Sequence, residues 1–259
     1  MKLHGIIPLL LTSLLAPAQT PKRPGEGARL VVYVDPGHGG EDTGAKGPRG
    51  LREKDAVLDL AAALARELEA SGMEARLTRD ADAFVPLWDR ARMANQAGAD
   101  LFVSLHLNAA RTRAAKGSEV YFLSLGAGDR ESAAIAAQEN GAGPGPLSPD
   151  PANVVAGILD DLAQEAYLRE SEKLAVAIQA QLNRLGGVRQ RGVKQAPFVV
   201  LRGAAMPAVL VETVFISNPR EEARARDPIF LRKAAQAITQ GIRHYFAGVE
   251  ATPRRRPQG

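Results

Sequence analysis

Short runs of near-continuous Val, Leu, Ile and Phe recur along this chain and alternate with segments of helical period. Residues 30–34, 73–78, 101–105, 118–123, 198–201 and 208–211 read as strands. Four of these runs lack polar alternation, the pattern required when both faces of a parallel sheet are covered. Residues 55–70 place Val57, Leu58, Leu60, Leu64 and Leu68 on a repeating stripe that Gly72 stops. Further helices are predicted over 87–97, 131–140, 171–185 and 228–246. The alternation predicts an α/β fold: a single domain over 29–249, with a mostly parallel twisted sheet of about six strands flanked by helices.

Composition narrows the chemistry. The 259 residues contain no Cys, which excludes disulfides, thiol catalysis, Cys-ligated zinc and iron–sulfur clusters. Any metal site must use His, Asp and Glu. The formal charge of +4 comes from well-mixed signs, too balanced to point to nucleic acid. A glycine turn is present, but neither GxGxxG nor a Gly-Lys-Ser/Thr loop accompanies it, so nucleotide binding is disfavoured.

The two ends and one internal stretch break the pattern. Lys2 and His4 lead into an apolar run over 6–15, and Ala16-Pro17-Ala18 fits signal-peptidase cleavage. Residues 1–18 are therefore expected to be a signal peptide, too short in their apolar part to span a bilayer, and 19–28 a flexible leader. The mature protein is expected to be exported, periplasmic or extracellular, with no membrane anchor. Residues 141–150 hold three Gly and three Pro and read as an exposed loop. An acidic, helical-looking segment follows over 152–170, and residues 250–259 form a basic, frayed tail.

Two histidines stand at equivalent places. His38 follows the first strand in Asp35-Pro36-Gly37-His38-Gly39-Gly40, and His106 follows the third in Ser104-Leu105-His106-Leu107-Asn108. Ligands of open α/β sheets bind at the carboxyl ends of the strands, so both imidazoles point to one edge if the two strands are near neighbours. Glu53 opens the first long helix and can return to that edge. Two His and one Glu make a catalytic zinc set with a fourth position left for water. Glu212 ends the apolar strand over 208–211, where a buried carboxylate is costly unless chemistry uses it, and it suits a general base. Asn108 is a candidate substrate contact. Arg79 and Arg90 are expected in structural salt bridges, and His244 is expected to be structural.

These stretches, together with 50–55, Leu77-Thr78-Arg79-Asp80, Arg90 with Ala94-Asn95, 99–108 and 211–218, resemble the zinc-dependent N-acetylmuramoyl-L-alanine amidases of the Amidase_3 family, those of the cell-division type included. The resemblance covers about 30–246 with six motifs in order. It implies an α/β amidase domain, Zn2+ held by His38, Glu53 and His106, and Glu212 as the catalytic base. It further implies cleavage of the amide between the lactyl group of N-acetylmuramic acid and L-alanine of the peptidoglycan stem, for wall remodelling or daughter-cell separation. In cell-division amidases an inserted helix covers the zinc until an activator protein displaces it. The corresponding region here is 141–170, and Glu139 is the candidate inhibitory zinc ligand. Two alternatives stand beside this reading: a zinc peptidase acting within the stem peptide, and a non-catalytic wall-binding regulator.

Overall fold

The computed structural model describes residues 29–141 and 154–251. In chain order the elements are β1 (Val31–Pro36), α1 (Glu53–Ala70), β2 (Glu74–Leu77), α2 (Leu87–Gln96), β3 (Leu101–Asn108), β4 (Ser118–Leu123), α3 (Arg130–Glu139), α4 (Val154–Leu182), β5 (Gln190–Ala196), β6 (Ala208–Phe215), α5 (Pro219–Ala225) and α6 (Pro228–Ala251). The strands form one six-stranded sheet in the order β2-β1-β3-β6-β4-β5. All its pairings are parallel except β4 with β6, as expected for a mostly parallel sheet.

Strand alternation sorts the side chains onto two unequal faces. Leu101, Val103, Leu105 and Leu107 of β3 join a core with Leu60 and Leu64 of α1, Leu174 and Ile178 of α4, and Ile238 and Ile242 of α6. Three long helices thus cover one face. The intervening Phe102 packs on the other face with Tyr33, Tyr121, Leu210 and Phe198, under Ile135 and Ala136 of α3. That cover is thin. Ser104, His106 and Asn108 share the parity of Phe102 and so rise on this second face.

Several elements differ from the expectation. The run 198–201 is a buried 3-10 turn, Val199–Leu201, and the strand beside it is β5. β5 lies at the sheet edge with mostly half-exposed side chains, so Gln-Arg-Gly-Val-Lys-Gln-Ala carries no apolar signature. β3 and β6 run on to Asn108 and Phe215, which places His106 and Glu212 inside strands rather than just beyond them. The helix expected from 171 begins at Val154 and absorbs the described part of the acidic segment. α5 was not anticipated; Asn218 caps it by accepting from the Arg220 and Glu221 amides, and Pro219 occupies its first turn. The expected signal peptide, leader, tail from 252 onward and residues 142–153 of the candidate insert lie outside the described residues. Among those described, no helix is long and apolar enough to cross a membrane.

One buried ion pair fixes the end of β1. Asp35 is fully buried and accepts from Thr78 Oγ1 at 2.6 Å, Ser104 Oγ at 2.7 Å and Arg90 Nη1 at 2.8 Å. Burial opposes its charge, but Arg90 and the two hydroxyls outweigh that and hold the carboxyl below its ordinary range. A depressed folded-state pKa contributes stability that is present above the unfolded value of 3.8 and is lost as pH falls through the folded value. Arg90→Leu, which strands this carboxylate, is expected to cost about 3–5 kcal/mol in denaturant unfolding. For Asp35→Asn, the stability gap to wild type should narrow as the pH is taken below 3.8; a constant gap would show that the ion pair does not set the acid limb.

Candidate metal centre

His38 stands in the turn after β1 at φ 58°, the left-handed region, followed by Gly39 at 128° and Gly40 at 58°. A non-glycine residue there must be held by its surroundings. Arg90 donates from Nη2 to the His38 carbonyl at 2.9 Å. Arg79 donates to the carbonyls of Pro36 at 3.0 Å, Gly37 at 2.7 Å and Lys54 at 3.0 Å. The expected salt bridge exists for Arg90, whereas the Arg79 guanidinium binds backbone carbonyls. Asp42 Oδ2 lies 2.9 Å from His38 Nδ1 and orients the ring.

Backbone contacts lock the other groups. Glu53, the first residue of α1, accepts the Leu107 amide at 2.9 Å on one oxygen and the Ala45 amide at 2.9 Å on the other. The His106 ring packs on Gly37 so closely that a Cβ there would come within 2.4 Å of it. That contact explains why Gly37 has no side chain.

Four donors converge. His38 Nε2 is 3.3 Å from Glu53 Oε1 and 3.2 Å from Glu139 Oε2, while His106 Nδ1 is 3.2 Å and 2.8 Å from the same two oxygens. All four ligand atoms lie within 4.8 Å of one another. His38 Nε2 and Glu139 Oε2 are buried without hydrogen-bond partners despite these short separations. Atoms that crowd one point without donor–acceptor alignment suit a shared cation better than a hydrogen-bonded pair. Charge supports the same reading. Burial works against a charge on His106, yet Glu139 and Glu53 outweigh it and lift its pKa to about 10. His38 is raised likewise by Glu53 and Asp42 against its burial, and Glu53 is held far below its usual range by the two imidazoles. Two carboxylates that favour two ring protons favour equally one divalent ion in their place. The residues present therefore fit a divalent cation.

Glu212 stands beside this cluster. It pairs with His106 across β3 and β6 and with Glu119 across β6 and β4, so all three side chains rise on the same face. Glu212 is fully buried and neither carboxylate oxygen has a hydrogen-bond partner. Burial, with Glu139, Glu53 and Glu119 nearby, raises its pKa well above the carboxylate range. Asn108 donates to Glu119 Oε1 at 2.5 Å and lines a cavity of about 580 Å³ between α3 and the segment after β3. Glu119 also accepts from Tyr121 Oη, Arg191 and Lys194. His244 lies away from the cluster, on α6 beside Gln181. Glu119, Arg191, Lys194 and Asp42 escaped the sequence reading. Asp42, four residues after His38 in the glycine turn, carried a usable signal; the others are brought in by strand register.

The family profile described as N-acetylmuramoyl-L-alanine amidase matches residues 32–244, nearly the whole described chain. The chain belongs to this amidase family. It is 39% identical over 229 residues to the N-acetylmuramoyl-L-alanine amidase AmiA of Escherichia coli (strain K12), covering 87% of this chain and 79% of that protein. Against AmiC of Neisseria meningitidis the identity is 40% over 230 residues, which is 87% of this chain and 55% of AmiC. Among solved structures, AmiC2 of Nostoc punctiforme superposes with a TM-score of 0.64 at 30% identity, covering 85% of this chain and 98% of the solved one. In this family member the His38 ring depends on one carboxylate for its orientation. Asp42→Asn is expected to weaken uptake of a divalent cation such as Zn2+ by about 10–100-fold, read by metal titration with unchanged circular dichroism.

Proposed function

We propose that this protein is a zinc hydrolase that cleaves the amide between the lactyl group of N-acetylmuramic acid and L-alanine of the peptidoglycan stem. The observation that carries the reading is the buried two-His, two-Glu cluster beside a partnerless Glu212, within an amidase-family domain. His38, Glu53 and His106 would hold the ion. Bound there, zinc supplies Lewis-acid polarisation of a carbonyl and acidification of water. Glu212 takes the proton from the attacking water and passes it to the departing L-alanine nitrogen. Its burial without hydrogen-bond donors keeps it basic, so it accepts a proton readily. Asn108, locked by Glu119, faces the cavity where substrate would lie.

Glu139 is read as an inhibitory ligand. It comes from α3, just ahead of the expected insert, and takes the fourth donor place that water or the scissile carbonyl would need. α3 buries few apolar side chains, chiefly Ile135 and Ala136, worth roughly 1.5–3 kcal/mol for the larger of the two. Polar anchors hold it instead: Glu139 itself, and Asn140, which donates to the Pro197 carbonyl at 3.0 Å and accepts the Val199 amide at 2.8 Å. Such a helix can lift without unfolding the domain. Turnover then requires that movement, the step an activator protein would drive. Residues 1–18 and the nature of the substrate support action outside the cytoplasm, in the periplasm or beyond.

Mass spectrometry of digested muropeptides tests the bond. Release of the intact stem with a free L-alanine amine, lost with chelator and restored by zinc, is the expected result; cleavage between stem residues would mean a peptidase instead. Glu212→Gln should lower kcat by about 10²–10⁴-fold while zinc content is retained. Glu139→Ala should raise basal hydrolysis of purified peptidoglycan, and a rate at or below wild type would remove the self-inhibition.

A further inference from the structure

The N-terminal end of α3 closes on a second charged site that the proposed hydrolysis leaves unexplained. Arg191 and Lys194 of β5 converge on Glu119, with Arg191 Nε at 2.9 Å and Lys194 Nζ at 2.8 Å from its Oε2. Both cations also reach Glu131 of α3, Lys194 at 3.2 Å and Arg191 more closely. The two cationic side chains are only 14% and 13% exposed, whereas Glu131 is 49% exposed. Glu119 is fully buried and belongs to the sheet, so it stays when α3 lifts. Two positive charges would then face one negative charge. Uncovered as the helix leaves, the cation pair would carry one charge in excess, and a carboxylate from outside would restore the balance through charge-assisted hydrogen bonds.

Position says which carboxylate. Glu131 and Glu139 stand eight residues apart on one helix, roughly 12 Å at 1.5 Å per residue. An extended peptide covers that distance in about three to four residues. Arg191 and Lys194 lie on the sheet three strands from His106, along the row His106, Glu212, Glu119 and Gly192. The cavity of about 580 Å³ includes Asn108, Phe215 and Glu131 in its wall. Asn108 is 1% exposed and its Oδ1 has no partner, an unused acceptor beside the same row.

We propose that Arg191 and Lys194 form a subsite for a free carboxylate of the stem peptide, a few residues beyond the scissile amide, and that Glu131 fills it while α3 is closed. α3 is then a two-point surrogate for the substrate: Glu139 stands at the metal ligands and Glu131 at the cation pair. The subsite rests on the amidase reading above and adds to it a requirement for an acidic stem.

The test uses the full zinc-loaded chain carrying Glu131→Ala and Glu139→Ala, which frees both points. Its substrates are a synthetic N-acetylmuramoyl tetrapeptide with free stem carboxylates and the same compound with those carboxylates converted to primary amides. Charge-assisted hydrogen bonds predict a kcat/KM about 10–100-fold higher for the acid. Lys194→Gln in that background should lower the rate on the acid far more than the rate on the amide, and Lys194→Arg should restore the preference. Equal cleavage of both substrates, or an equal loss on both in Lys194→Gln, overturns the subsite while sparing the hydrolase. If neither substrate is cleaved, the hydrolase reading falls, and calorimetry with the free tetrapeptide decides the subsite alone. Tighter binding of the acid than of its amide upholds it, and equal binding overturns it.

Discussion

Charge placed where water cannot reach it must be matched locally, and this requirement organises the active face of the domain. His38 and His106 are balanced by Glu53 and Glu139, Asp35 by Arg90, and Glu119 by Arg191 and Lys194. The three groups are linked. Arg90 pairs with Asp35 and also holds the His38 carbonyl. Glu119 fixes Asn108, stands opposite Glu212 across the ladder, and shares its cations with Glu131 of α3. Neither carboxylate oxygen of Glu212 has a hydrogen-bond donor, and its burial beside Glu139, Glu53 and Glu119 outweighs the pull of His106 and raises its proton affinity.

The two faces of the sheet divide the work. α1, α4 and α6 build the larger core against the sheet. Among the described residues the opposite face is covered by short elements, α3 and the 3-10 turn among them, and the polar groups of β3, β6 and β4 lie buried beneath them. α3 belongs to this lighter cover. It is attached more by charge and amide contacts than by apolar burial, and contacts of that kind can be exchanged for those of a substrate or a partner.

Much of this was legible in one dimension. His38 lies in a glycine turn and His106 in a run of apolar residues, so their positions at the sheet edge followed from pattern. Glu53 could be placed from the start of its helix, and Glu212 stood out as a carboxylate beside Val209, Leu210 and Val211. β5 was missed because an edge strand takes its identity from hydrogen bonds to β4 rather than from apolar residues, and Phe198-Val199-Val200-Leu201 drew the assignment one turn too far. α5 was missed because seven residues with four charges carry no stripe; its cap at Asn218 was the available sign.

Local residue pattern was enough to specify an α/β sheet, the ends of its principal strands and a short set of acids and imidazoles able to act on a ligand. Such properties depend on neighbours along the chain, on period and on the conformational limits of glycine. The meeting of Glu139 with His38 and His106, the row from His106 through Glu212 and Glu119 to β5, and the pairing of Glu131 with Arg191 and Lys194 required the folded chain. Those contacts span tens of residues and follow from register between strands and from the path of α3 across them, which no local pattern encodes.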